Sequence, residues 1–345
     1  MKVGLCGHFG FDSELLNGQT IKTKNVTLEL EKQLGNKEIR KIDTSGGLKT
    51  ILSICVQTIG LFKDCRNIII FPAENGLKVF VPLCLMINLL FKRKLHYVVI
   101  GGWLDKYLLK HGVIRMLLKY FDGIYVETAG MRRQLNNMGL NNIEVMPNFK
   151  DIYMLGDNEL DCSMEEPLSL CTFSRVMKEK GIEDAIDAVV KVNSMFGKII
   201  FKLDIYGQID NAYKKSFEEI ILSAPSYVKY CGTVSASKSV ETIRKYYALL
   251  FPTYYEGEGF AGTLLDAMAA GVPVIASDWK YNHEIVLEGK TGILFKLGVS
   301  DELENKLIWI LENREQWEGF KLECLESYKK YLPSNAISVL MCKLD

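Results

Sequence analysis

The sequence predicts an α/β protein made of two Rossmann-like, doubly wound domains. Three observations carry this reading. Short β-rich runs alternate with helical stretches of about 10–18 residues. The beat breaks once and then restarts, and each series contains six strand-like runs. Strands that alternate with helices in this way form parallel sheets from right-handed βαβ units. The 345 residues, 48% of them apolar, are ample for two separate cores.

In order, the first series reads "KVGLCGHF", "EIRKID", "NIIIFPA", "HYVVIGG", "GIYVET" and "IEVMPN". The beat loosens through the polar "DIYMLGDNELDCSMEEPL", which places a joint near Asn148–Pro167. It resumes with "LSLCTFSR", "IIFKLDIYG", "VKYCGTV", "YALLFPTYY", "PVIASD" and "GILF". The expected domains are 1–150 and 151–325, with 326–345 a terminal helix crossing back to brace the first. Ligands of doubly wound sheets collect at the carboxyl ends of the strands, which predicts a site in a cleft between the domains.

Bulk properties narrow the class. Nine cysteines form no C-x-x-C pair, and most sit in apolar runs, as expected of reduced thiols in a cytoplasmic protein. The run after Met1, "KVGLCGHFG", is too short for the apolar core of a signal peptide. The longest apolar stretch, Val79 to Phe91, falls short of the roughly 20 residues that span a bilayer, so a soluble chain is expected. Net charge is zero, but residues 1–150 hold 21 Lys and Arg against 12 Asp and Glu, and the remainder holds 21 against 30. A basic first half points to an anionic surface or substrate, with no sign of a nucleic-acid partner.

Three loops carry candidate chemistry. "SLCTFSR" ends at Arg175, and Lys180 follows just before an amphipathic helix with Ile182, Ala185, Ile186, Val189 and Val190 on its apolar face. Two cations at a strand's carboxyl end suit a diphosphate, although ordinary surface charge reads the same. After the first strand, Gly18 and Gln19 precede a helix whose start offers free N–H groups to an anion, or simply closes a βα loop. In "PTYYEGEGFAGTLLDAMAAGVPVIASD", a strand runs into a loop and then a short helix that stops at Gly271. The amides around Phe260–Thr263 would face a diphosphate, whereas Glu258 and Asp266 would repel one. Ionised carboxylates instead accept the paired O–H donors of a vicinal diol, and a nucleotide sugar has one on each sugar.

These residues resemble the retaining glycosyltransferases of family 4, which have the GT-B fold and build bacterial capsular, exopolysaccharide or O-antigen repeats. The hallmark E-x7-E reads Glu258-GFAGTLL-Asp266 here, followed by "AMAAGVPVIASD". Arg175 with Lys180, the glycine at Gly18, the "MPN" hinge at Pro147–Asn148 and "GKTGILF" also match. The likeness covers nearly the whole chain and is strongest over 168–296.

The resemblance implies a hexosyltransferase that uses a nucleotide-sugar donor, with UDP favoured by family frequency. Glu258 would contact the donor hexose and Asp266 the ribose diol, with Gly259, Phe260, Ala261, Gly262 and Thr263 lining the donor site. Arg175 and Lys180 would neutralise the leaving diphosphate, so no metal or other cofactor is expected. The reaction would be a same-face displacement onto a lipid-linked saccharide, with the enzyme peripheral on the inner face of the membrane. Gly102 and Trp103 would lie near the acceptor, where many relatives carry a histidine. Two departures are Asp266, a methylene shorter than the usual glutamate, and Ala261 in place of a frequent glycine. A catalytically silent nucleotide-sugar-binding subunit and a sugar-nucleotide 2-epimerase are the alternatives. "GLCGHFGFD" is not G-x-G-x-x-G, which counts against a NAD-dependent enzyme.

Overall fold

The computed structural model describes residues 2–10, 18–44, 51–160 and 165–344, with backbone only at 18, 51 and 52. Cys162 and residues 11–17 lie outside the described residues. The chain forms two compact units. Unit 1 comprises Met1–Asp151, Gly257–Phe260 and Leu332–Asp345; unit 2 comprises Ile152–Glu256 and Ala261–Tyr331.

Unit 1 runs β1 (Val3–Gly7), α1 (Gly18–Leu34), β2 (Ile39–Asp43), α2 (Ile51–Asp64), β3 (Asn67–Ile70), α3 (Glu74–Phe91), β4 (Lys94–Val98), α4 (Leu104–Lys110), α5 (Gly112–Leu118), β5 (Gly123–Val126), α6 (Ala129–Asn137) and β6 (Ile143–Val145). Its parallel sheet has the order β2-β1-β3-β4-β5-β6. β1, β3 and β5 are buried at every position, because helices cover both faces of a parallel sheet. The chain reverses its direction of growth between β1 and β3, the usual place for a ligand crevice.

The stretch "DKYLLKHGVIRMLLKYFDG" forms two helices, α4 and α5. His111 breaks it by turning Nδ1 onto the Tyr107 carbonyl at 2.9 Å and stacking on the Tyr107 ring, and Gly112 starts α5. α3 is longer than the apolar run in the sequence suggests. It is the one helix among the described residues long and apolar enough to cross a membrane, yet Leu77, Val81, Cys84 and Ile87 form a stripe that seats it in unit 1.

Unit 2 runs β7 (Leu168–Phe173), α7 (Ile182–Phe196), β8 (Phe201–Tyr206), α8 (Lys214–Ser223), β9 (Val228–Gly232), α9 (Ser239–Ile243), β10 (Ala248–Phe251), α10 (Gly262–Ala269), β11 (Val274–Ser277), α11 (Asn282–Ile285), β12 (Gly292–Phe295), α12 (Glu302–Glu312) and α13 (Arg314–Tyr328). The strand order is β12-β11-β10-β7-β8-β9, all parallel, with the switch between β7 and β10. Ile182, Ala185, Ile186 and Val189 of α7 pack into a core with Leu170, Leu203 and Leu250. Trp317 fills that core, and its Nε1 donates to the Tyr247 carbonyl at 3.2 Å.

The tail returns to unit 1 later than the sequence suggests, after α13. Helix α14 (Pro333–Met341) packs Ala336, Ile337 and Leu340 against Val26 and Leu30 of α1. Asn67 Nδ2 then donates to the Leu344 carbonyl at 2.8 Å.

Candidate functional site

In unit 2 the loops after β7 and β10 leave neighbouring strands at the switch point. A 3-10 turn, Lys178–Lys180, follows β7 and ends at Gly181, whose φ is 67°. A Cβ there would lie 2.2 Å from the Pro252 carbonyl oxygen, so only glycine lets the two loops touch. The Glu179 carbonyl accepts from Tyr254 N at 2.8 Å and from Thr253 Oγ1 at 3.3 Å. These ties place Lys180 Nζ over the rings of Phe251 (5.6 Å) and Tyr255 (5.2 Å), where the ammonium is attracted by the ring faces. Arg175 is half exposed, and its guanidinium lies 3.8 Å from Asp210, a surface contact weak enough to yield to a phosphate.

Helix α10 begins beside this pair of loops in the chain. Its N-cap, Ala261, has no side-chain acceptor, and no acidic residue occupies its first turn. Thr263 Oγ1 is buried without a hydrogen-bond partner among the described residues. An uncapped helix start with a spare hydroxyl donor favours an anion.

Asp266 is differently placed from a free diol acceptor. It is 2% exposed, and its Oδ1 accepts from Ser239 Oγ at 3.0 Å, tying α9 to α10. Glu256 is an exposed loop charge 3.7 Å from Lys280, while Trp279 Nε1 holds the Tyr255 carbonyl at 2.9 Å.

The Glu258 segment belongs to unit 1. Glu258 is 7% exposed. Its main chain rests on the loop after β4: a Cβ at Gly102 would lie 2.1 Å from the Glu258 carbonyl oxygen. Gly259 is equally confined, its Cβ position being 2.7 Å from Glu127 Oε2 and 2.8 Å from Gly102 N. Phe260 N donates to Glu127 Oε2 at 3.0 Å, and the Phe260 carbonyl accepts from Asn148 Nδ2 at 3.1 Å. The structure therefore brings Gly102, Glu258, Gly259 and Phe260 together. Trp103, half-buried, donates Nε1–H to the Ile100 carbonyl at 2.7 Å and meets Tyr107 edge-on.

At the unit 1 switch point lies a cavity of about 440 Å³, lined by His8, Gln19, Pro72, Glu74, Phe80 and Leu83 among others. Gln19 Nε2 donates to the Phe71 carbonyl at 3.2 Å, and His8 Nδ1 lies 3.0 Å from Thr20 Oγ1. Gly18 is the first residue of α1, whose first turn has no acidic side chain.

Sequence reasoning missed the cavity and two charged residues. Lys22 and Glu127 are 3% and 5% exposed and pair at 2.5 Å, with burial pulling the Lys22 ammonium below the usual lysine range against the opposing pull of Glu127. The signal was present: Lys22, Val26 and Leu30 recur every four residues, so Lys22 lies on the buried stripe of α1.

Residues 163–323 match the family model described as Glycosyl transferases group 1. The chain is 27% identical over 158 residues to an uncharacterized glycosyltransferase of Methanocaldococcus jannaschii, covering 46% of this chain and 39% of that protein. It is 33% identical over 125 residues to the GtfA subunit of a Streptococcus agalactiae UDP-N-acetylglucosamine–peptide N-acetylglucosaminyltransferase, covering 35% and 22%. The chain thus spans less than half the length of these curated relatives. The crystal structure of Anabaena Alr3699/HepE in complex with UDP and glucose matches 100% of this chain and 99% of its own, with a TM-score of 0.75 at 15% identity. The fold is GT-B. In GT-B terms each Rossmann-like unit of this chain carries its candidate residues at or beside the carboxyl ends of its strands.

Proposed function

We propose that this chain is a retaining glycosyltransferase of the family 4 type. It would move a hexose or N-acetylhexosamine from a UDP-linked donor to a saccharide acceptor on a lipid carrier, in bacterial surface polysaccharide synthesis. The observation that carries the reading is the unit 2 switch point, where Arg175, Lys180 and the uncapped start of α10 offer donors to a diphosphate. The likeness to a region described as Glycosyl transferases group 1 and to proteins that use or bind UDP-linked sugars supports the same donor class.

In this reading the cations and helix amides stabilise the charge that grows on the departing diphosphate. Lys180 is held in place by two rings and Arg175 is free to swing from Asp210. Glu258 accepts hydroxyls of the transferred sugar, and the leaving phosphate takes the acceptor's proton on the same face. Asp266 fills the ribose role only if the ribose shares its carboxylate with Ser239.

A lipid-linked acceptor fits the surface of unit 1. α3 packs against α2 and α5, and all three expose apolar side chains: Leu89, Leu90 and Met86, then Val56, then Val113. Lys63 of α2, Lys92 just after α3 and Lys119 just after α5 are exposed as well, which suits an anionic membrane surface. The basic stretches are not wholly solvated, however. Arg93 caps α2 by donating to the Phe62 and Lys63 carbonyls, Lys94 reaches the Lys343 carbonyl, and Leu108, Ile114 and Leu118 are buried.

The deciding experiment is hydrolysis of a panel of UDP-, GDP- and ADP-sugars, with the anomer of the released sugar read by NMR. Slow turnover of a UDP-sugar with the starting anomer released first is expected, and it should persist in EDTA. Glu258→Ala should lose roughly 30–150-fold, the worth of one charged hydrogen-bonding partner. Binding without turnover across the panel would instead mark a nucleotide-sugar-binding subunit.

A further inference from the structure

The segment Gly257–Phe260 is fixed by residues distant in sequence. Glu127, at the end of β5, uses both carboxylate oxygens: Oε2 accepts from Phe260 N at 3.0 Å, and Oε1 lies 2.5 Å from Lys22 Nζ on α1. Asn148 Nδ2 holds the Phe260 carbonyl from the other side at 3.1 Å. Both charges of the pair are almost wholly buried, where each loses its hydration. Apolar side chains would fill that space more stably, but no apolar side chain accepts a main-chain N–H. A backbone amide from elsewhere in the chain is therefore what the carboxylate serves, and the Lys22 amine 2.5 Å away is the partner that offsets its lost hydration.

We infer that the Lys22–Glu127 pair is a positioning device: it holds the main chain on which Glu258 sits and so sets where the Glu258 carboxylate points. Its kinetic consequence rests on the function proposed above; the clamp on the segment does not. In this role both residues act through the main chain at Phe260 and not on the substrate. Gly259 fits the same device, since any side chain there would collide with Glu127 Oε2.

The test combines hydrogen exchange of the full-length chain, followed by mass spectrometry over peptides covering 255–262, with UDP-sugar hydrolysis kinetics. The variants are Glu127→Ala, Glu127→Gln, Lys22→Met and the double Lys22→Met/Glu127→Gln. Glu127→Ala should speed exchange in 255–262 by roughly tenfold or more, with peptides from β7 to β9 unchanged. It should lower kcat by about 10–100-fold and change the donor KM by less than about threefold. Lys22→Met strands a buried carboxylate and should be worse than the double variant, whose uncharged amide still accepts from Phe260 N and restores most of both readouts. Should Glu127→Ala fail to fold, Lys22→Met set against the double carries the same comparison. Unchanged exchange in 255–262 overturns the inference, as does faster exchange with undiminished kcat. Exchange raised evenly through unit 1 overturns it too, because the pair would then be only a fold support. If the wild-type chain turns over no sugar nucleotide, the proposed function fails while exchange still decides the clamp.

Discussion

Replacing Gly102 with Ala tests the placement of Glu258 without touching a charged group. The added Cβ would lie 2.1 Å from the Glu258 carbonyl oxygen, 2.9 Å from its carbonyl carbon and 3.1 Å from Gly259 Cα. Contacts of a real Cβ essentially never fall below 3.0 Å, so the separation must grow by about 1 Å. All three obstacles are main chain, and no side-chain rotation relieves them. The Glu258 segment can retreat only by stretching the Phe260 N–Glu127 bond at 3.0 Å or the Asn148–Phe260 carbonyl bond at 3.1 Å. Overpacking of this kind costs about 1–3 kcal/mol, and a reactive group misplaced by about 1 Å loses roughly a hundredfold in rate.

Gly102→Ala should therefore lower kcat for UDP-sugar turnover by about two orders of magnitude while the melting temperature falls by only a few degrees. UDP affinity, measured by calorimetry, should stay within about threefold, because the proposed phosphate donors belong to unit 2 and are untouched. Gly112→Ala is the control: nothing lies within 4 Å of its Cβ position at the start of α5, and it should behave as wild type. Gly102→Ala with turnover within twofold of wild type would refute the reasoning. A parallel loss of UDP binding would relocate the lesion from the sugar to the nucleotide.

Other outcomes follow from the same geometry. Arg175→Ala and Lys180→Ala should each weaken UDP binding by roughly 10–100-fold and leave uridine nearly unaffected, since only the phosphates lose a partner; calorimetry with both ligands checks this. His96 should make the fold acid-sensitive: burial pushes its pKa down to about 4, and neutral His96 bridges Asn67 Oδ1 at 3.2 Å and Tyr125 Oη at 3.1 Å. Above pH 6.5 both folded and unfolded chains leave it neutral; as pH falls from 6.5 towards 4 only the unfolded chain takes the proton, removing about 3 kcal/mol over that window. Denaturant melts at stepped pH should show that slope in wild type and a flatter one in His96→Gln. Flotation with anionic liposomes should detect low-salt binding that Leu89→Ser/Leu90→Ser abolishes, each leucine being about four-fifths exposed; no binding by wild type at low salt would remove the membrane from the reading.

The two-sheet fold was legible because its signal is local and repeated. Runs such as "NIIIF" and "ALLF" are buried on every residue, and parallel strands covered on both faces must read as continuous apolar stretches. The positions of Arg175, Lys180 and Gly262, a few residues past a strand or at a helix start, follow from chain order for the same reason. What the sequence could not display was pairing across long separations. Glu127 and Phe260 are 133 residues apart, and Asp266 and Ser239 are 27 apart, so neither carboxylate announces whether it faces a ligand or a neighbour. Arg93, between Lys92 and Lys94 in the chain, likewise shows only in the packing as a cap on the α2 carbonyls. Composition places charge on a half of the chain; only packing says which charges are still free to act. Asp266 is the sharpest case. Its spacing from Glu258 matches a diol reader, but its burial beside Ser239 lets it hold α9 to α10. Ser239→Ala separates the two roles. If Asp266 chiefly braces the helices, losing the hydroxyl lowers stability by about 1 kcal/mol and leaves UDP affinity unchanged; if Asp266 reads the ribose, removing the competing Ser239 donor tightens UDP but not the 2′,3′-dideoxy analogue.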